Sequence, residues 1–182
     1  TKVISLMLAA LLVVCFAACG DKPEENAEGE KKVLTMGSSC DFPPYESVAD
    51  DGSYIGIDVE IAQAICDKLG YTLEIKDMDF NSIIAAVGTK TVDFGMSGFT
   101  ITEERKAAVN FSIPYETTTQ VILCKEGKEI NDISELASMM IGVQQGTTGD
   151  IYLTDDIGDA RVDRYAKGND AVIALTSGKV DA

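Results

Sequence analysis

Apolar positions recur along the chain with the periods of strands and of helices, and the two patterns alternate. Short apolar or alternating stretches predict strands at residues 33–38, 71–76 and 91–96. Between them, helical spacing of apolar residues predicts helices over residues 58–69 and 80–87. Strands that alternate with helices predict an α/β fold with a mostly parallel sheet, in which ligands bind beyond the carboxyl ends of the strands.

The first predicted helix has the most regular apolar pattern in the chain. Asp58 is suited to cap its start, and Gly70 is suited to end it. One row of side chains recurs at every fourth position, with two smaller residues beside it. We expect this row to be buried: Ile57, Ile61, Ile65 and Leu69, with Ala62 and Cys66 alongside.

The second half of the chain continues the alternation and contains an internal echo of the first. The elements predicted there are, in order, a strand at 119–124, a helix at 132–139, a strand at 140–143, a helix near 150–154, a strand at 161–165 and a helix at 169–176. Residues 81–94 resemble residues 170–182, since each segment is a helix, a Gly/Lys turn and a strand that reaches Val-Asp. The echo predicts two similar lobes, at residues 33–116 and 117–182, and the second is expected to be incomplete.

The amino-terminal segment has the form of a secretory signal. Lys2 precedes an apolar run over residues 3–18 that is short for a membrane-spanning helix. The run ends in F-A-A-C, which resembles a bacterial lipoprotein signal. On this interpretation residues 1–18 are removed, Cys19 is lipidated, and residues 19–32 are a charged, disordered tether. Cys15 is a poorer candidate for lipidation, and a single membrane-spanning anchor is the alternative to a cleaved signal.

Composition excludes several classes of function. The formal charge of −15 argues against nucleic acid as a partner, because phosphates attract Lys and Arg patches. The chain has no His, which argues against His-based catalysis and His-ligated metals. Cys40, Cys66 and Cys124 form no C-x-x-C pair, so no metal site and no cofactor is expected.

The stretch with the clearest chemistry is residues 95–105, read as G-M-S-G-F-T-I-T-E-E-R. Glycine and small hydroxyl residues let a ligand approach the backbone, and Thr102 is suited to cap a helix over residues 103–109. The Arg105 fork matches a carboxylate in two-point contact. The loop is therefore expected to bind a small carboxylate. The alternative is that Thr102 only caps the helix and that Arg105 is a solvated surface charge.

With these residues, the chain resembles the substrate-binding proteins of polar amino-acid ABC importers, the bacterial extracellular solute-binding family 3. The motifs that carry the resemblance are D-F-P-P-Y (41–45), G-I-D-V-E-I-A (56–62), V-D-F-G-M-S-G-F-T-I-T-E-E-R-K-A (92–107), F-S-I-P-Y (111–115) and I-G-V-Q-Q-G-T-T (141–148). The resemblance implies a two-lobed periplasmic-binding-protein-like fold of type II. It also implies a monomeric, lipid-anchored protein outside the cytoplasm, which delivers an amino acid to the permease subunits of an importer and is not an enzyme.

The resemblance also assigns site residues. It implies that Arg105 holds the ligand's α-carboxylate and that Gly98 and Thr100 bind through backbone and hydroxyl groups. Further ligand contacts are implied at Ser39, Phe42, Phe80, Ser97, Gln144, Thr147 and Thr148. Ser39 departs from the family, in which several members carry Asp, and this departure weakens the case for a cationic ligand.

Structural roles remain the alternatives for these residues, and two other functions remain open. Phe42 and Phe80 would serve equally as core aromatics, and Thr147 and Thr148 as helix caps. An enzyme on the same scaffold would need an acid or base at the cleft. Glu103 and Glu104 have the character of helix-start residues rather than of catalytic groups. The remaining alternative is an amino-acid sensor module of a signalling protein.

Overall fold

The computed structural model describes residues 32–182, which form one compact unit. The strands of this unit are β1 (Val33–Ser38), β2 (Asp41–Phe42), β3 (Glu46–Val48), β4 (Tyr54–Ile55), β5 (Thr72–Asp77), β6 (Phe94–Gly95), β7 (Ile141–Gln144) and β8 (Val162–Tyr165). The α-helices are α1 (Ile57–Leu69), α2 (Phe80–Gly88), α3 (Glu103–Ala108), α4 (Thr148–Ile157) and α5 (Gly168–Ser177). Two 3₁₀ helices lie at Ile133–Ser138 and Asp159–Arg161.

Two parallel sheets and one small antiparallel sheet organise these elements. In the first sheet β1 lies between β5 and β6, with Met36 opposite both Ile75 and Phe94. In the second sheet β7 pairs in parallel with β8, and Val143 lies opposite Arg164. The antiparallel sheet has the order β2-β3-β4. The α/β class with parallel sheets is therefore confirmed.

Helix α2 packs closely against the first sheet where the ligand loop begins. Met36 of β1, Ile83 of α2 and Val92 are buried together with Ala62 and Cys66 of α1. A Cβ atom on Gly95 would lie 2.6 Å from Ile83 Cγ2, so only glycine fits at this position. Glycine at this position thus allows α2 to lie close to the sheet just before the ligand loop begins.

The buried face of α1 differs from the predicted one. The structure buries Asp58, Ala62 and Cys66, whereas Ile65 is 46% exposed and Leu69 is 59% exposed. Both rows have the spacing of four residues that marks one helix face, so periodicity alone could not separate them. The small side chains at 62 and 66 let the helix lie close to the sheet, which the larger isoleucines would prevent. The core position predicted for Cys66 is confirmed.

The start of α1 also differs from the prediction, while its end is confirmed. Gly56, with φ +130°, stands at the N-cap, and a Cβ there would lie 2.2 Å from the Tyr45 carbonyl oxygen. Asp58 therefore lies inside the first turn, and its carboxylate accepts a hydrogen bond from the Gly98 backbone N–H at 2.9 Å. Gly70 ends the helix in the left-handed conformation, as predicted.

The predicted strand at residues 119–124 is absent from the described part of the chain. Its side chains are exposed except that of Cys124, which is partly buried, and Val121 is 74% exposed. A strand needs a neighbour for its backbone hydrogen bonds, and none of the strands within residues 32–182 lies alongside this segment. Similarly, the helix predicted at 132–139 is a 3₁₀ helix over Ile133–Ser138 rather than an α-helix. Of the predicted strand at 91–96, only Phe94 and Gly95 pair in the sheet.

The internal echo is a structural repeat. After α2, the Asp93 N–H donates to the Thr35 carbonyl at 2.9 Å, and Asp93 Oδ2 accepts from the Thr35 N–H at 2.7 Å. After α5, Asp181 makes the same pair of bonds with Met140, at 2.7 Å and 2.9 Å. Each aspartate therefore joins the end of a helix–turn segment to its own sheet, at Thr35 within β1 and at Met140 immediately before β7.

The signal, lipidation and tether predictions lie outside the described residues. They concern residues 1–18, Cys19 and the tether at 19–32, of which the structure describes only Lys32. Within residues 32–182, no helix has the length and apolar character that crossing a membrane requires.

Candidate functional site

The ligand loop between β6 and α3 is shaped by its own sequence at both ends. Gly98 has φ +58°, a conformation that glycine adopts without strain. Thr102 caps α3, as predicted, because its Oγ1 accepts a hydrogen bond from the Arg105 N–H at 3.2 Å. The cap directs the Arg105 side chain inwards from the first turn of α3.

Arg105 is buried, with 7% of its surface exposed, and it bridges the two sheets. Its Nη1 donates to the Thr100 carbonyl at 2.7 Å, and its Nη2 donates to the Gly146 carbonyl at 2.9 Å. The guanidinium also lies 5.6 Å and 5.3 Å from the rings of Phe80 and Phe99, which stack at 4.4 Å. The alternative of a solvated surface charge is therefore wrong.

Phe42 is placed next to Gly98 rather than in the core. It is 52% exposed, and its ring stacks on Tyr45 with centroids 5.4 Å apart. The space beside the Gly98 Cα borders the Phe42 ring, since a Cβ there would lie 3.5 Å from Phe42 Cε1. Phe42 thus supplies an accessible aromatic face at the ligand loop, whereas Phe80 is buried under Arg105.

A second group of predicted site residues meets through hydroxyl groups. Ser97 Oγ accepts from the Ser39 N–H at 3.1 Å and donates to Glu46 Oε1 at 2.7 Å. Ser39 Oγ donates to Asp41 Oδ1 at 2.8 Å. Gln144 Nε2 reaches Ser39 Oγ at 3.4 Å, which brings residues 105 positions apart into one cluster.

Of the two threonines in the loop after β7, Thr147 caps the following helix, and Thr148 lies away from the Arg105 cluster. Thr147 Oγ1 donates to the Gln144 carbonyl at 2.8 Å and accepts from the Asp150 N–H at 3.3 Å. The Thr147 hydroxyl is thereby occupied, and its backbone is bonded as well: the N–H donates to the Gln144 carbonyl at 3.4 Å, and the carbonyl accepts from the Ile151 N–H at 3.1 Å. Thr148 begins α4, and its hydroxyl is 3.4 Å from Gln120 Oε1, apart from the Arg105 cluster.

Three polar residues near the ligand loop were not predicted to belong to the site: the buried Glu46, the buried Asp58, which was predicted only as a helix cap, and Tyr115, which is 45% exposed. Glu46 and Asp58 lie beneath the ligand loop, and the Tyr115 hydroxyl donates to Asp58 at 2.9 Å. Burial raises the pKa of Tyr115, and its bond to Asp58 adds to this rise. Tyr115 and Glu46 each adjoin proline motifs, P-Y and P-P-Y-E, and this is the only signal in the sequence that marks them.

Further polar contacts cross between the two sheets near Ser39. The Gly168 N–H, at the start of α5, donates to Asp41 Oδ2 at 3.2 Å. Lys167 Nζ lies 3.6 Å from Asp77 Oδ1, which also accepts from the Cys40 N–H at 3.0 Å. Burial raises the pKa of the Cys40 thiol to about 11, so the thiol is neutral at physiological pH.

The arrangement suits binding of a small anion-bearing molecule. A buried guanidinium has five N–H donors, and carbonyl contacts satisfy some of them without neutralising the charge. Within residues 32–182, no group of three or more His, Cys, Asp or Glu side chains is placed to hold a metal ion.

Comparison with known proteins gives a consistent set of relatives. The arginine-binding extracellular protein ArtP of Bacillus subtilis is 40% identical over 146 residues, which are 80% of this chain and 56% of ArtP. The L-arginine-binding protein of Pseudomonas aeruginosa is 31% identical over 181 residues, covering 98% of this chain and 65% of that protein. Holo ArgBP from T. maritima superposes with a TM-score of 0.78 at 40% identity, covering 82% of this chain and 66% of that one.

The chain therefore spans less than two thirds of the length of these two curated relatives. The family match itself extends from residue 34 to residue 182. It therefore includes β1 from its second residue onwards and all of the later strands. The chain belongs to the bacterial extracellular solute-binding proteins, family 3.

Proposed function

We propose that this chain is the extracytoplasmic substrate-binding component of an ABC importer, which captures a free, polar amino acid between two closing lobes. The lobes correspond to residues 33–116 and 117–182. The observation that carries the proposal is the buried Arg105, whose guanidinium is held by Thr100 on one side and Gly146 on the other. Family membership and the amino-acid-binding names of the relatives support it.

In this proposal Arg105 binds the α-carboxylate through its remaining N–H groups. The Gly98 N–H already donates to Asp58, which leaves the Gly98 carbonyl oxygen for the ligand's amino group. Phe42 and Phe80 flank the ligand's side chain, and Ser39, Ser97, Thr100, Gln144, Thr147 and Thr148 complete the polar lining.

L-Arginine is the first ligand to test, because several of the matching relatives are named arginine-binding, although others are named for histidine or cystine. Ser39 carries no charge, which weakens the case for a cationic ligand. However, its hydroxyl is bonded to Asp41, so a carboxylate lies at the same corner of the site. Asp41 would take the place of the missing acid as the partner of a basic side chain.

The importer role implies a location and partners. We propose that residues 1–18 direct export, that a lipid on Cys19 holds the protein at the outer face of the membrane, and that the closed form docks on permease subunits as a monomer. Closure on the ligand requires that the closed state bind more tightly than the open one, which contacts from both lobes would supply. The extracellular names of the relatives support this location.

A thermal-shift screen of the full chain against the common amino acids and cystine tests the proposal. Ligand at about 100 times its dissociation constant stabilises the folded state by about 2.7 kcal/mol. For a chain of this size each kcal/mol shifts the melting temperature by about 2–4 °C, so a shift of several degrees is expected. Arg105→Ala should abolish the shift, because it removes the carboxylate partner.

Lys106→Ala is the matched control, since Lys106 lies next to Arg105 on α3 but is exposed, and among residues 32–182 it forms an ion pair only with Glu103. It should keep the full shift. If no amino acid stabilises the protein, the amino-acid assignment fails, and other carboxylates, small peptides or the enzyme alternative come next. Turnover of a stabilising ligand would support the enzyme alternative instead. A sensor module would bind the same ligand without supporting transport by the importer.

A further inference from the structure

Two carboxyl groups lie directly beneath the ligand loop and hold two adjacent residues of it, Ser97 and Gly98. Glu46 of β3 is 1% exposed, and Asp58 in the first turn of α1 is fully buried. Ser97 Oγ donates to Glu46 Oε1 at 2.7 Å, and the adjacent Gly98 N–H donates to Asp58 Oδ2 at 2.9 Å. The two carboxyl groups therefore determine where the loop backbone lies at the point where we propose that it contacts the ligand.

The surroundings of these carboxyl groups provide no compensating positive charge. Asp41 of β2 and the Cys40 thiol face Glu46, and the Tyr115 hydroxyl donates to both oxygens of Asp58, at 2.9 Å and 3.0 Å. Within residues 32–182, no Lys or Arg forms an ion pair with Glu46 or Asp58. Two adjacent buried carboxylates without a cation cannot both be ionised at low cost.

Glu46 also has an unused polar atom. Its Oε2 is buried without a hydrogen-bond partner among the described residues when the group is treated as a carboxylate. A proton on this oxygen would let Glu46 donate to the neighbouring Asp58 and would satisfy the atom. Burial, together with the charge of Asp58, raises the pKa of Glu46 to about 8, which agrees with a neutral Glu46 at physiological pH.

We propose that Glu46 and Asp58 share one proton and act as positioning residues, which together hold Ser97 and Gly98 in the conformation that binds the ligand. This inference rests on the proposed amino-acid-binding function. Loss of the shared proton places two negative charges under the loop, and their repulsion displaces Ser97 and Gly98. Ligand affinity therefore falls as the pH rises through the value at which Glu46 ionises.

The same proton affects stability. An unfolded glutamate ionises near pH 4.5, whereas Glu46 in the folded chain keeps its proton to about pH 8. Between these values the folded state binds more protons than the unfolded state, so this contribution to stability decreases as the pH rises. In Glu46→Gln the amide mimics the protonated acid: its oxygen accepts from Ser97, and its NH₂ donates to Asp58. The variant should lack the pH dependence.

The test compares the full wild-type chain, Glu46→Gln and the control Glu60→Gln, which changes an exposed glutamate on α1. L-Arginine is the probe in titration calorimetry, and melting temperatures without ligand are recorded at the same pH values, from 5.5 to 8.5. If only the protonated form binds, wild-type affinity falls roughly four-fold between pH 6 and pH 8.5, because about a quarter of the protein stays competent. Glu60→Gln should behave like the wild type, and Glu46→Gln should bind equally well throughout.

The proposal of a shared proton would be contradicted if the wild type and Glu46→Gln showed the same dependence on pH in both affinity and melting temperature. If no amino acid binds the wild type, the proposed function fails, while the ligand-free melting profiles still decide the carboxyl pair. If Glu46→Gln does not fold, carbon-13 NMR of glutamate carboxyl groups in the wild type decides instead. One carboxyl titrating near pH 8 supports the pair, and titration of all of them near their ordinary value excludes it.

Discussion

At the scale of single residues, the site depends on how Arg105 is held. Its guanidinium contacts two carbonyl oxygens, of Thr100 and Gly146, and the stacked rings of Phe80 and Phe99. These contacts orient the side chain but leave its positive charge unneutralised, and burial keeps that charge in a medium of low dielectric constant. A ligand carboxylate therefore meets a fixed and strongly attracting partner.

Gly146→Ala should destabilise the protein because Gly146 has φ +77° and its Cβ would lie 2.8 Å from Asn81 Cβ. The matched control is Gly127→Ala, since Gly127 has a similar φ of +75° but open space around it. Both variants bear the backbone strain of about 1 kcal/mol, and only Gly146→Ala adds a steric clash, for a total of roughly 2–4 kcal/mol. Urea unfolding measures the difference, and equal losses would show that the contact with Asn81 is unimportant.

At the scale of elements, the same arrangement of helix, turn and aspartate occurs twice in the chain. In each half a helix, a tight turn and an aspartate come after the first strand of the parallel sheet. The aspartate bonds back to Thr35 within β1 in the first copy, and to Met140, the residue before β7, in the second. In the first copy the chain continues from Asp93 into β6 and the ligand loop. The aspartate therefore sets the register in which the loop leaves the sheet.

Asp93→Asn should lower the melting temperature at neutral pH, because the ionised carboxylate accepts hydrogen bonds from the Thr35 N–H and hydroxyl. These bonds, led by the backbone N–H, lower the pKa of Asp93. Its stabilising contribution is therefore present above the pKa of an unfolded aspartate and is lost as the pH falls through the lowered folded value. The gap between wild type and variant should close in strong acid.

The control for this variant is Asp50→Asn, which changes an exposed aspartate in the turn before β4. It should have little effect at any pH. Melting curves from pH 7 down to pH 2 make the comparison, and a gap for Asp93→Asn that persists unchanged into strong acid would contradict the proposed role of the charge.

At the scale of the whole molecule, polar contacts join the first sheet and its loops to the segments around β7 and α5. Arg105 reaches Gly146 over 41 positions of sequence, and Asp41 accepts from the Gly168 N–H over 127 positions. Asp77 adds an ion pair with Lys167. If the two halves close on a ligand, these contacts stabilise the closed arrangement in addition to the ligand's own contacts.

Lys167→Ala should therefore speed ligand release. The pair with Asp77 is partly exposed, and such pairs contribute about 0.2–1 kcal/mol, so L-arginine should dissociate roughly 1.4- to five-fold faster. Lys179→Ala is the control, because Lys179 pairs with Asp163 beside the second sheet and makes no contact with the first. Stopped-flow dissociation at low salt makes the comparison, and identical rates for the two variants would exclude a role for the Asp77 contact in closure.

Local sequence determined the elements whose causes are local. Gly70 ended α1, Thr102 capped α3, and the alternation of periods established the α/β class, because caps, stops and periodicity act over a few residues. The repeat was visible for the same reason, since each copy is one continuous segment. The prediction of a strand at residues 119–124 was wrong because a strand also needs a neighbouring strand to pair with, which its own apolar residues do not supply.

Only the tertiary structure decided which groups meet in the site. The sequence alone marked Arg105 as a carboxylate partner, but its contact with Gly146 depends on how two sheets pack. Asp58 was interpreted as a helix cap, although packing buries it and turns it toward Gly98, 40 positions away. Glu46 carried no periodic signal because its role arises from burial beside a second acid. Periodicity determines which elements form, whereas the protonation and partners of buried polar groups depend on contacts distant in sequence.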